Sequence, residues 1–293
     1  MQDIALIIST TLMYSTPLIF AALGGVFSEN SGIVNIGIEG MMTIGAFAGA
    51  AAGYMLGNPW LAFIIGGLAG GLFALVHALA TVTFNADHTI SGVAINLLAP
   101  GVALFASKIM FDGATMTPTI PMEQKIPRPL NGLFPSGSIL DTIFNAYATV
   151  FIAFILVAVT WYVLYKTKFG LRIRAVGEHP GAADTLGISV AKTRYAAVII
   201  SGILAGLGGA SMSLAVVSSF RPTLISGHGY IAMAAVIFGK WRPQWAMAAC
   251  LLFGFSTALS VYFGNPELPF SINENLLSCL LYTSPSPRDT ERS

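Results

Sequence analysis

Long apolar runs separated by short polar connections dominate this chain, and they set its architecture. A membrane-crossing helix needs about 20 mostly apolar residues. Runs of that kind fall at 4–27, 38–56, 60–82, 90–111, 145–165, 194–216 and 244–263. The run 229–239 is short for a full crossing and predicts a tilted or broken helix packed inside the others. A further run begins near residue 273 and is cut off. The expected fold is an all-α polytopic membrane bundle of about eight to nine transmembrane helices, C-terminally truncated.

Composition strengthens this picture. Of 293 residues, 55% are hydrophobic and 9% are charged, whereas a soluble domain carries about 25% charged residues. Lipid must cover most of the surface. The formal net charge of +1 offers no polybasic face for nucleic acid. The two cysteines, Cys250 and Cys279, support neither a disulfide framework nor a metal cluster. The start, Met1 to Ile4, lacks the basic segment of a signal peptide, so the first apolar run is expected to be a retained helix.

The distribution of charge gives an orientation. No Lys or Arg precedes Lys108. Lys166, Lys168, Arg172, Arg174, Lys192 and Arg194 crowd the 166–194 loop, which the positive-inside rule places in the cytoplasm. Lys240 and Arg242 mark a second cytoplasmic turn. Alternation then puts 112–142 outside, 83–89 and 28–37 inside, and the N-terminus outside. The 112–142 loop holds Pro118, Pro121, Pro127, Pro129 and Pro135 and should be extended or turn-rich. It is either a connector or a surface for an external partner.

Small residues recur at the spacing that lets helices approach closely in lipid: Gly45 with Gly49, Gly66 with Gly70, Gly67 with Gly71, and Gly202 with Gly206. They predict a compact bundle. Pro17 and Pro100 should kink or interrupt their helices. His77, inside the third run, is either a proton-relay group or a histidine bonded between helices. Asp87 and His88 stand at a span end, where solvated charges are ordinary. No nucleophile–base pair or metal-ligand cluster argues for a membrane enzyme.

Two segments carry more information. Asn30 to Met42 joins the first two runs yet is too apolar for a solvated loop. A carboxylate such as Glu39 is costly there unless paired, bonded or near water. Asn35 and Glu39 either hold a broken helix end or transport path, or form a helix-capping cluster at the interface. The second segment, Lys168 to Ile188, contains a short helix from Pro180 to Leu186, with Pro at a first helical position and Gly187 just past the end. Two turns are too short to be stable alone. Such a helix on a basic stalk suits a docking peg, or is a surface connector.

The residues Phe169-Gly170-Leu171-Arg172, Ala175 to Glu178, Ala182-Ala183 and Gly187-Ile188 resemble the coupling-helix region of ABC-importer permeases of the branched-chain amino-acid/simple-sugar/nucleoside group. Gly24 to Glu29 with Val34 to Met41 is closer still to the nucleoside and simple-sugar permeases. The likeness runs from about residue 10 to 275. It implies two permease subunits, identical or sibling, two cytoplasmic ATPases and an extracytoplasmic substrate-binding lipoprotein, in a bacterial or archaeal cytoplasmic membrane. It implies ATPase-coupling roles for Glu178, His179, Pro180, Ala183, Asp184 and Gly187. It also implies a weakly polar substrate path, for which Asn35, Glu39 and Asn96 are candidates; an amide such as Asn96 also serves as glue between helices. The chain contains no G-x-x-x-x-G-K-[ST] phosphate loop, so no cofactor is expected in it and ATP-Mg would be bound by the partner ATPase. An ion- or proton-coupled secondary transporter is the alternative reading.

The last residues, Cys279 to Ser293, look like an in-frame translation of a transposase mosaic end and sequencing adapter. The expectation is a permease domain over 1–278 followed by a non-native tail over 279–293, which is kept out of the fold. The other reading is a polar tail.

Overall fold

Polar caps punctuate the apolar runs and set where several of the helices begin. In the computed structural model, which describes residues 2–132, 135 and 138–264, Asn58 accepts from the amides of Trp60 and Leu61 ahead of Pro59. Asp87 does the same for Thr89 and Ile90, and the Ile90 amide leads the interactions that hold its carboxyl below the usual range. Thr167 and Ser189 cap two more helices.

The elements in order are α1 (Gln2–Asn30), α2 (Ile38–Leu56), α3 (Pro59–Ala78), α4 (His88–Met110), α5 (Ile139–Phe144), α6 (Ala148–Lys166), α7 (Lys168–Glu178), α8 (Pro180–Thr185), α9 (Val190–Ser211), α10 (His228–Phe238) and α11 (Pro243–Phe263). A π-turn extends α3 through Thr83 and another extends α9 through Val216. Each of the eight apolar runs expected before residue 264 contains a helix. Among the described residues, six helices are long and apolar enough to cross a membrane: α1, α3, α4, α6, α9 and α11. α2 has 19 residues, Gly- and Ala-rich and largely buried by its neighbours. The expected run near 273 and the 279–293 tail lie outside the described residues.

Neither proline ends its helix: α1 continues through Pro17 and α4 through Pro100. Each removes only one N–H from the ladder. The 112–142 segment is turn-rich as its prolines predict, with one short 3-10 turn at Met122–Gln124, and α5 begins before its end. α7 was not expected. The sequence reading gave the basic stalk no regular structure, yet Gly170, Ile173 and Val176 form an inward face at helical spacing.

The glycine pairs meet where α2, α3 and α9 converge. A methyl built on Gly66 would lie 2.6 Å from the Ala210 Cβ and 2.7 Å from the Gly45 carbonyl oxygen. On Gly206 it would lie 2.5 Å from the Gly66 oxygen, and on Gly70 2.7 Å from the Gly206 Cα. Only hydrogen fits at these backbone crossings. His77 is buried and pairs through Nδ1 with the Ser91 hydroxyl of α4 at 2.9 Å. This is a bond between helices.

α10 is a half-helix. The turn that follows it carries Trp241, whose carbonyl accepts from the Asn30 amide at 3.3 Å and whose indole N–H donates to Glu29. The ends of α1 and α10 therefore share one membrane face. Eleven residues rise about 15 Å, half of a hydrocarbon core of about 30 Å. The start of α10 is thus near mid-depth. At the opposite face, Ser218 and Phe220 bond to Ile120 and Thr117. The chain from 217 to 227 dips inward from there, packed by the edge-on Phe47–Phe220 ring pair, whose centroids are 5.4 Å apart.

Candidate functional site

Two polar constructions stand out, one at mid-depth and one at the membrane face where α1 and α10 end. The first gathers the starts of α2 and α10 against the middle of α4. Glu39, in the first turn of α2, reaches across to the start of α10: Oε1 accepts from the Gly227 amide and Oε2 from the Gly229 amide, both at 2.6 Å. Gly227 has φ +95°, a conformation glycine adopts without strain. The carboxylate thus caps another helix's N-terminus, where free N–H groups and the helix dipole favour negative charge.

Asn96 of α4 does the reciprocal work for α2. Its Oδ1 accepts from the Gly40 amide at 2.8 Å, in the first turn of α2. Its Nδ2 donates to the Ile36 carbonyl and to the Tyr230 hydroxyl, both at 2.9 Å. Tyr230 lies on α10, so the ring closes: Asn96 holds α2, Glu39 of α2 holds α10, and Tyr230 of α10 returns to Asn96. Asn35 stands behind this ring. It is 1% exposed and donates to the Ser201 hydroxyl of α9 at 2.9 Å. In this conformation Glu39 and Asn96 are half-buried at the rim while Asn35 is out of contact with solvent.

The second construction is the arm of α7 and α8. His179 ends α7, and its carbonyl accepts the Ala183 amide of α8. Pro180 opens α8. At the other end Gly187 has φ +77°, its amide donates to the Asp184 carbonyl at 2.8 Å, and the Ile188 amide donates to the Ala183 carbonyl at 3.1 Å. That paired closure satisfies the last carbonyls of the helix. Glu178, His179, Pro180, Asp184 and Gly187 are exposed, whereas Ala183 is turned inward. Leu186, absent from the sequence-based set, is 80% exposed beside them.

The arm is seated on the start of the re-entrant segment that leads to the ring. A methyl on Gly177 of α7 would overlap the Asn30 carbonyl oxygen, and beside it Arg194 of α9 donates from Nε to the Ser31 carbonyl at 3.3 Å. From Ser31 the chain needs only four residues to reach Asn35 and eight to reach Glu39. Between the arm and the α10–α11 turn lies an open groove of about 540 Å³ bounded by Glu29, Arg174, Glu178 and Trp241.

Comparison with known proteins shows the family. The family described as "Branched-chain amino acid transport system / permease component" matches residues 7–283. The chain belongs to this permease family. Among similar proteins, the permease is 47% identical over 269 residues to the guanosine ABC transporter permease protein NupQ of Bacillus subtilis (strain 168), covering 89% of this chain and 83% of that one. It is 43% identical to the nucleoside ABC transporter permease protein NupC of Lactococcus lactis subsp. cremoris (strain MG1363), over 92% and 88% of the two chains. Among solved structures, an inward-facing metal-chelate type ABC transporter matches with TM-score 0.51 and 15% identity over 94% of this chain and 85% of that one. At that identity the likeness concerns the fold alone. Members of this family are transport components; their ATPase is a separate subunit.

Sequence reasoning found Asn35, Glu39 and Asn96 but missed Ser201, Gly227, Gly229 and Tyr230. The pair Gly227 and Gly229 at the head of an under-length apolar run was a usable signal for a half-helix start. Ser201 gave none, since a serine among the glycines of α9 reads as packing.

Proposed function

We propose that this permease carries nucleosides inward across a bacterial or archaeal cytoplasmic membrane, driven by ATP bound and hydrolysed on separate subunits. The full importer would pair it with a second permease, identical or sibling, two cytoplasmic ATPases and an extracytoplasmic binding lipoprotein. The observation that carries the ATP-coupled reading is the exposed, doubly closed helix α8, which follows α7, whose Gly177 packs against Asn30 where the segment leading to the mid-depth ring begins. An ATPase gripping Glu178, His179, Pro180, Asp184 and Gly187 would shift this arm as it closes. Ala183 would hold the helix to its base. The movement would pass to residues 31–37 and from there to Glu39, Asn96 and the head of α10. Coupling of fuel to cargo requires that the ATPase bind the two states of the bundle with different affinity. The path would run along the rim of Glu39 and Asn96, with Asn35 supporting it from behind. A half-helix starting near mid-depth favours this placement, because broken helices are tolerated in membranes where they line a cavity.

The test uses the assembled importer in proteoliposomes. Asp184→Lys and Gly187→Pro should abolish ATP-dependent uptake while the permease still inserts. The proline cannot adopt φ +77° and removes the amide that bonds Asp184. Normal uptake by both variants would refute the coupling role. Uptake that needs an ion gradient and no ATPase would favour a secondary transporter.

A further inference from the structure

Tyr230 is 49% exposed although it stands two residues into α10, near the middle of the membrane. Tyrosine side chains favour the membrane–water interfaces, where the hydroxyl finds water. Here the hydroxyl is anchored on the Asn96 amide instead, which fixes one end of the side chain. Polar groups border it: its hydroxyl is held by Asn96, the preceding residue's amide by Glu39, and the chain leading to it exposes Arg221, Thr223 and Ser226. Polar groups at such depth mark a wet path. What the ring offers to that path is a flat, aromatic, solvent-accessible surface held in one orientation.

We propose that Tyr230 is a cargo-contacting residue, and that its ring is a stacking platform for the planar heteroaromatic base of the nucleoside during passage. This rests on the nucleoside reading above and adds a specificity-determining residue to it. Stacking on an aromatic ring tolerates any base, because every base has a π-face. The bond to Asn96 costs the ring its rotational freedom before cargo arrives, so little ordering remains to be done on contact. A bare sugar has no such face and gains nothing from the platform.

The experiment compares ring-bearing and ring-free substitutions in the assembled importer, reading initial uptake of a radiolabelled purine nucleoside at subsaturating concentration. Y230F and Y230W lose the anchoring hydroxyl and keep a ring; Y230L and Y230M lose both. The expected result is that the ring-free pair falls about tenfold below the ring-bearing pair, with the ATPases co-eluting with all four variants. Equal losses in both pairs would assign Tyr230 to the Asn96 bond alone and overturn the proposal. Loss of ATPase co-elution confined to the ring-free pair would also overturn it, in favour of a packing contact. A wild-type importer that takes up no nucleoside overturns the nucleoside reading and this inference with it. A wild type that takes up nucleosides with no ring dependence overturns this inference alone.

Discussion

Replacing Glu39 with glutamine keeps the shape of the side chain and removes half of what it does. The carboxylate offers one oxygen to the Gly227 amide and the other to the Gly229 amide, at 2.6 Å each. Glutamine offers a single oxygen, so one amide faces an NH2 group, donor against donor. The loss of one charge-assisted bond and the exposure of one unsatisfied N–H together cost about 2–3 kcal/mol. Weaker attraction to the helix dipole acts in the same direction. A cost of that size raises the open fraction of the α10 N-terminus by about 30- to 150-fold. Hydrogen exchange over the peptide 225–231 in detergent or nanodiscs reads it directly. Exchange there should accelerate by that factor in E39Q, while the α11 segment 245–260 stays at the wild-type rate. E39D, one methylene shorter and unable to span both amides, should accelerate as well. Wild-type exchange at 225–231 in E39Q would refute the capping argument, and with it the role of Glu39 in holding α10.

Two further substitutions test the packing and the ring. A methyl on Gly209 would collide with the Met42 carbonyl, whereas one on Gly101 meets nothing within 4 Å. G209A should therefore lose about 1–3 kcal/mol from overpacking, seen as a lower Tm in detergent, and G101A should match or exceed wild type; equal shifts would sink the close-approach argument. Asn96→Leu strands the Gly40 amide and the Ile36 carbonyl at a cost of about 2–4 kcal/mol, lowering both Tm and uptake. A wild-type Tm in N96L would show that the Gly40 and Ile36 bonds contribute nothing.

The legibility of this molecule divides along a physical line. Whether a segment becomes a membrane helix depends on that segment alone, because every backbone polar group inside lipid must be satisfied within it. The eight apolar runs before residue 264 could therefore be read one by one, as could the α8 closure, whose Pro180 and Gly187 lie within about two turns of each other. The glycine pairs told that helices approach closely but not which helices. The convergence of α2, α3 and α9 needed the assembled bundle. α7 escaped because its inward face counts a glycine, Gly170, among its members, and the apolar signal fell with it.

The mid-depth ring lay beyond sequence for a different reason. Glu39 and Gly227 are separated by 188 residues, and Asn96 and Tyr230 by 134. The sequence by itself determined that a carboxylate this far into an apolar stretch needed a partner, because an unpaired one is too costly there. It offered two kinds of partner, a helix end or a path. Only the tertiary structure decided that the helix end belongs to α10, because a capping bond needs an amide aimed at the carboxylate within 3 Å, and that geometry exists only once α1, α2, α4 and α10 have packed.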